Sequence, residues 1–286
     1  MYEAEITPGS PAFERFVGEV ACAARLRPGF QAKEINPKAL VVLLGSDYLS
    51  HVAQDEHVAR AQLIATVAHE AIGQTRDDGK TPYIVHPKAV VETLRSAFSL
   101  GGIWYGRLSK EEESHCLAAA WGHDTLEDTG LTPAYLRAFR VRDETTKRIV
   151  LLTKPAVKQL DAVKRSELME IHHNEMFDDK LAPIVKFADR GHNIEMASLE
   201  VVKSKQIDKQ IDRWSDKAIK TRIELIQRYN ANPDLRPMGA KLEEQVAHLE
   251  NTIRLLKREI ARQNRRPDSL TQHPSQISYG GFGAAG

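Results

Sequence analysis

Neither sign of charge dominates this 286-residue chain: 40 Lys and Arg stand against 39 Asp and Glu, a formal net charge of +1. No broad field therefore draws it to nucleic acid or to an anionic membrane. Cysteine is scarce. The two thiols, Cys22 and Cys116, lie far apart and form no metal-type pair, a usage that reads as reduced, packed thiols in a cytosolic protein. Long apolar runs are missing too. The longest clear one, "ALVVLL" (39–44), falls far short of a bilayer span. The opening "MYEAEITPGS" has no basic segment followed by an apolar core, so no secretory leader is expected. Internal repeats are absent, and few windows alternate as a half-buried strand would. What is present is an ordinary globular balance, 42% hydrophobic and 28% charged, in a chain long enough to bury a sizeable core.

Helical spacing dominates the middle of the chain. "VARAQLIATVAHEAIGQ", "HPKAVVETLRSAF", "ETTKRIVLLT" and "LAPIVKFADRGHNIEMASL" repeat apolar residues at three and four. "SKEEESHCLAAAWGHDTLED" opens with Ser109 as an N-cap and acids in the first turn, where they suit the helix dipole. Residues 59–230 are read as one all-α domain of at least seven helices. Residues 1–58 precede it as an extension of unknown role, with a capped helix at "SPAFERFVGEVACAARL" and an "ALVVLLGS" segment that fits a short strand or a buried helix end. "NANPDLRP" supplies a linker, 231–237, by its Asn and Pro content. In 238–265, Leu242, Val246, Leu249, Ile253, Leu256 and Ile260 step by four and three, a heptad seam. It suits a self-pairing coiled-coil helix, or an amphipathic helix lying on the domain. The Ser-, Gly- and Gln-rich tail, 266–286, is expected to be disordered.

The chemistry concentrates at "WGHDTLEDTG" (121–130). His123 and Asp124 are adjacent, so on a helix they point about 100° apart. They meet at one point when an ion sits between them, and an imidazole with a carboxylate suits Mn²⁺, Fe²⁺ or Zn²⁺. A lone His-Asp dipeptide is weak evidence, since a hydrogen-bonded structural pair looks the same. Two further stretches strengthen it. In "GKTPYIVHPKAV" (79–90), His86 stands just before a helix that opens with Pro87. In "APIVKFADRGHNI" (182–194), Asp189 ends an apolar run, where a carboxylate is costly unless paired or coordinated. The chain thus orders a His, a His-Asp and an Asp, each at the edge of an apolar helix.

That order resembles the HD phosphohydrolase superfamily. "TPYIVHP", "HDTLEDTGLT" and "KFADRGHN" resemble more closely the (p)ppGpp hydrolase domain of RelA/SpoT proteins and small alarmone hydrolases of the metazoan SpoT homologue type, over roughly residues 60–230. One departure stands in "EAIGQTRDDGKTPYIVHP". Gly73, Gln74 and Arg76 fit the family block, but Ala71 takes the place of its His and Asp77 that of its Lys, a lost cation that Lys80 is placed to replace.

The resemblance implies an HD-type helical bundle holding Mn²⁺, or another divalent transition metal, on His86, His123, Asp124 and Asp189. Glu127 and Asp128 follow His123 and Asp124 by four residues and so share their helical faces, placed to orient a water or take its proton. Arg76 and Asn193 match nucleotide-contacting positions, and Lys80 joins them as the substrate-binding cation that would stand in for the one lost at Asp77. Lys186 and Arg190 fit phosphates or ion pairs equally well, while His69 and His192 read as packed or supporting groups. The implied activity is removal of the 3′-pyrophosphate from (p)ppGpp-like guanosine nucleotides. With no synthetase block following, a stand-alone cytoplasmic hydrolase is expected, assembled as a homo-oligomer through its C-terminal helix. Hydrolysis of another phosphorylated nucleotide (a dNTP, a nucleoside monophosphate or NADPH) is the alternative, and a non-catalytic nucleotide sensor a third.

Overall fold

The computed structural model describes residues 6–26, 34–157, 159–203, 207–229 and 232–263. Among these the chain is all-α, its one extended pairing an isolated bridge between Thr75 and Pro82. The first four helices are α1 (Pro11–Ala24), α2 (Pro37–Leu44), α3 (Tyr48–Gln54) and α4 (Glu56–Ala71). Next come α5 (Val85–Phe98), α6 (Lys110–Gly122), the single turn α7 (Thr125–Asp128), α8 (Pro133–Ala138) and α9 (Asp143–Leu152). The last group is α10 (Ala162–Asp178), α11 (Ala182–Lys203), α12 (Ile207–Thr221), a π-helical turn at Arg222–Ile226, the short α13 (Gln227–Tyr229) and α14 (Arg236–Gln263).

Local chemistry explains most of the boundaries. Ser10 accepts from the Phe13 amide at 3.0 Å with Pro11 at the first helical position, and Asn36 caps α2 ahead of Pro37 in the same manner. Ser109 and Glu112 form the reciprocal capping box at the start of α6. The "ALVVLLGS" segment is helical, and Gly45 ends it at φ +85°, a backbone region that glycine enters without strain.

Residues before α4 belong to the same core as the rest. Phe13, Phe16, Val20, Leu40, Leu44 and Tyr48 are buried in one cluster with Leu63, Ile64, Ile184 and Val246. The expected boundary at 58/59 falls inside α4, against which α1, α2 and α3 pack. Hydrogen bonds to the backbone tie the end of α1 to its neighbours: the Arg25 side chain donates from Nε to Ala71 O at 3.2 Å, and the Gly130 amide, after α7, donates to Ala24 O at 2.7 Å. Cys116 is buried, its thiol pushed up to about 12 by desolvation, but Cys22 is exposed, so only one of the two thiols is packed.

The heptad seam meets partners within the chain. Leu242, Val246, Leu249 and Ile253 are buried, with Leu256 and Ile260 against the same core, where α14 packs on α11 and α12. The linker expected at 231–237 is largely helical, a 3₁₀ turn at Pro233–Leu235 running into α14. Gly191 permits the close approach: a Cβ there would meet Gln245 Oε1 at 2.7 Å. The tail at 266–286 lies outside the described residues. No helix among the described residues is long and apolar enough to cross a membrane.

Candidate metal centre

Four side chains converge from three places in the fold. His86 comes from the first turn of α5, His123 and Asp124 from the break between α6 and α7, and Asp189 from α11. His86 Nε2 lies 3.2 Å from His123 Nε2 and 3.1 Å from Asp189 Oδ1. His123 Nε2 lies 3.0 Å from Asp124 Oδ2 and 3.6 Å from Asp189 Oδ1, and His86 Nε2 is 3.6 Å from the same Asp124 oxygen. Such separations match the ligand–ligand edges about an ion bound at roughly 2.0–2.2 Å. His86, His123 and Asp189 are all buried and form a group able to hold a metal ion.

The next layer of contacts orients these atoms. His123 Nδ1 sits 2.8 Å from the Ala120 carbonyl, which fixes the proton on Nδ1 and leaves the Nε2 lone pair facing the cluster. His86 Nδ1 is 2.8 Å from His192 Nδ1, so His192 does the same for His86. Asp189 accepts from Asn193 Nδ2 at 2.6 Å and from Lys186 Nζ at 2.8 Å. Asp124 accepts from the Tyr83 hydroxyl at 2.7 Å. Asn193, expected at the nucleotide, therefore orients a cluster carboxylate. Arg190, expected at a phosphate or in an ion pair, donates to Thr221 and Glu224.

The acids after the His-Asp pair have separate surroundings, because α7 is a new turn rather than a continuation of α6. Glu127 pairs with Lys154 at 3.3 Å, and Asp128 accepts from Gln74 Nε2 at 2.8 Å. The face expected to be shared by His123 and Glu127 assumed an unbroken helix, whereas Asp124 and Asp128 do lie one helical turn apart, the Asp128 amide donating to Asp124 O at 2.9 Å. Gln74 in turn meets His69 Nδ1 at 2.6 Å through its own oxygen, so His69, Gln74 and Asp128 form one chain of polar contacts. The Arg76 guanidinium lies 5.6 Å from the centre of the Tyr83 ring. Lys80 is exposed, in a turn whose amides donate to Asp78. Asp77, at the position of the lost cation, is paired with Arg213 of α12 at 2.8 Å.

No protein-family model and no curated protein matches this chain. The donor set thus carries the argument alone. Burial opposes charge on both carboxylates, yet His123 outweighs it at Asp124 and Lys186 at Asp189, leaving both below the usual carboxylate range. Burial likewise opposes charge on His123, but Asp124 and Asp189 overcome it and hold its pKa well above the ordinary value. Two ionised carboxylates this buried need positive charge beside them, which Lys186 and a charged His123 supply within the chain; two imidazole nitrogens with two carboxylate oxygens also suit a divalent ion of intermediate softness.

Three contributors had a weak or absent sequence signal. Tyr83 lay in plain view inside "TPYIVHP". Lys154 closes "LLTK" after α9, a position with no local cue. Lys217 of α12 is lowered to about 8 by burial and then by Arg190, and it feels Asp189, Arg213 and Lys154 as neighbours.

Proposed function

We propose that this protein is a metal-dependent phosphohydrolase of a nucleotide bearing a 3′-pyrophosphate, a (p)ppGpp-like guanosine nucleotide. The reading rests on one observation above others: the His86–His123–Asp124–Asp189 cluster has a half-buried acid, Asp128, beside it and cations around it. Bound on those four residues, a divalent ion such as Mn²⁺ supplies Lewis-acid polarisation of a phosphoryl oxygen and a more acidic water.

The chain's own residues do the rest. Lys154, Lys217 and Arg76 come from the end of α9, from α12 and from the loop before α5, and offer cations to a polyphosphate. Lys217 and Lys154 act electrostatically on one another and on Asp189, while Arg76 acts on His192. Asp128 has its pKa raised by burial and by Asp124, which makes it a stronger base toward an attacking water. Gln74 holds the Asp128 carboxylate, and Tyr83 holds Asp124. Glu127, anchored on Lys154, is the second candidate for proton transfer. The resemblance of "HDTLEDTGLT" and "KFADRGHN" to the (p)ppGpp hydrolase domain supplies the substrate class.

A second reading, hydrolysis of another phosphorylated nucleotide, is favoured by a single feature. Asp77 replaces the family's Lys and engages Arg213, so the rim facing the base and sugar is rebuilt. A panel of nucleotides with added Mn²⁺, resolved by product, tests both readings. Release of pyrophosphate with a 5′-diphosphate or 5′-triphosphate nucleotide is expected. Turnover of a dNTP, a nucleoside monophosphate or NADPH instead would select the second reading, and no turnover of any would sink both.

A further inference from the structure

The centre lies where α4, α6 and α9 end; a different cavity lies where they begin. Asp55 and His57 stand at the start of α4, Lys110 and Ser114 in the first turns of α6, and Arg142 at the residue before α9. At their other ends, α4 carries His69 against Gln74, α6 leads into His123, and α9 leads into Lys154. The three helices run in the same sense, so three positive dipole ends meet at this cavity. The 13 residues of α6 put the two ends about 20 Å apart.

The cavity has a volume of about 670 Å³, within the size range of small-molecule sites. Arg60, Lys110, Arg140 and Arg142 line it, with His57 and Ser114. Ser114 is 5% exposed, and its hydroxyl has no hydrogen-bond partner among the described residues, an arrangement that natural interiors rarely tolerate without a ligand or water. Arg140 has φ +61°, the one positive φ outside glycine among the described residues. This is the left-handed residue that closes α8, with the Val141 amide donating to Leu136 O at 2.9 Å and the Arg140 amide to Arg137 O at 2.8 Å, and it stands two residues before Arg142 on the same wall. Two of the three acids along the wall are engaged, Asp55 capping the Val58 amide and Glu56 pairing with Arg60; Glu111 is exposed, and Lys110 pairs with Glu113. Behind the cavity, His57 Nε2 and His115 Nδ1 both meet Thr145 Oγ1, at 2.8 and 2.7 Å.

We infer that this cavity is a second anion site, remote from the metal centre, that takes a small phosphorylated ligand through Arg140, Arg142 and the Ser114 hydroxyl. The guanidinium groups offer paired donors that match phosphate oxygens; the starts of α4 and α6 are already capped by Asp55 and Ser109, so the arginines and the Ser114 hydroxyl carry the recognition. The site stands whether or not the metal centre hydrolyses a nucleotide.

The test titrates inorganic pyrophosphate into the full chain, in EDTA, and follows the ring protons of His57 and His115 by NMR with calorimetry alongside. Saturable movement of both rings is expected. Arg142→Glu should weaken that binding by roughly tenfold or more, the size of a charge-assisted contact, while Lys217→Gln at the metal end leaves it unchanged. Ser114→Ala deletes a hydroxyl that bonds nothing in the protein, so it should preserve or raise the melting temperature yet weaken pyrophosphate. Rings that stay still at millimolar pyrophosphate, or an Arg142→Glu protein with unaltered affinity, would overturn the site.

Discussion

Two buried histidine clusters occupy opposite ends of α4 and α6, and one ring among them, His123, titrates against the rest. At one end His57 and His115 share the Thr145 hydroxyl. Burial and then Arg142 press His57 down to about 4, and burial with Arg148 lowers His115. At the other end His123 is as deeply buried but stands between Asp124 and Asp189, and its pKa rises instead. Burial is common to all of them; at His123 the two carboxylates outweigh it, whereas at His86, which also faces Asp189, burial wins and the pKa stays below its ordinary value. A hydroxyl between two imidazoles satisfies neutral rings and holds a packing contact. Two carboxylates against two imidazoles collect negative charge, which Lys186 and a charged His123 offset within the chain and which a bound cation would also balance. The contrast separates a histidine pair held by a hydroxyl from a cluster able to hold a metal ion.

The largest effect should come from removing that charge. Asp124→Ala should lose the divalent ion and nearly all turnover while staying folded, checked by elemental analysis after dialysis and by circular dichroism. His57→Gln, at the carboxylate-free end, should keep the ion. A folded Asp124→Ala protein with full metal content would erase the distinction. Next in size, Asp128→Asn should retain the ion and lose about 10²–10⁴ in rate, with KM little changed. Glu127→Gln should fall short of that loss, because Lys154 already neutralises Glu127. Parent-rate turnover by the Glu127→Gln/Asp128→Asn double variant would remove both acids from the chemistry.

A smaller effect is expected from the orienting contacts. His192→Ala frees His86 Nδ1, and Asn193→Ala frees Asp189 Oδ1. Each should cost about 10–100-fold in metal affinity, the usual size for such partners, read by competition with a chelator. His192→Asn, which can still accept at a similar position, should recover part of the loss. Unchanged affinity in both alanine variants would mean that packing alone aims the ligands.

Much of this was legible in the sequence because it is local. The all-α class followed from three-and-four spacing, the starts of α1 and α6 from Ser10 and Ser109, and the cluster's residues from their positions at apolar helix edges. What escaped was long-range. A heptad seam reports that Leu242, Val246 and Leu249 need an apolar partner, not whose it is; here α11 and α12 of the same chain provide it. Helical periodicity carried Glu127 onto the face of His123, but the chain restarts at α7 and sends Glu127 to Lys154, while Asp128 keeps its place one turn after Asp124 and meets Gln74. Lys217 and Arg213 arrive from a helix that touches the site only through the fold. Nothing in a linear reading marks them over the exposed Lys80.

The smallest effect tests the carboxylate-free end through pH. His57 falls from an unfolded value near 6.5 to about 4 in the fold. Between those values the unfolded chain binds more protons, so stability must fall as pH drops. The contribution is fully present above about pH 7, declines from near 6.5 downward, and levels off below about 4. From pH 7.5 to 5 the loss assigned to this ring is roughly 1–2 kcal/mol, allowing for local relaxation. His57→Gln can still bond the Thr145 hydroxyl but cannot charge. Urea unfolding of both proteins at the two pH values should show that much less acid destabilisation in the variant, with carboxylates and other histidines supplying the shared remainder. Parallel pH profiles would mean that Asp55, which raises the His57 pKa against Arg142, Arg60 and His115, already lets the ring protonate in place. The two ends of α4 and α6 would then differ in degree rather than in kind.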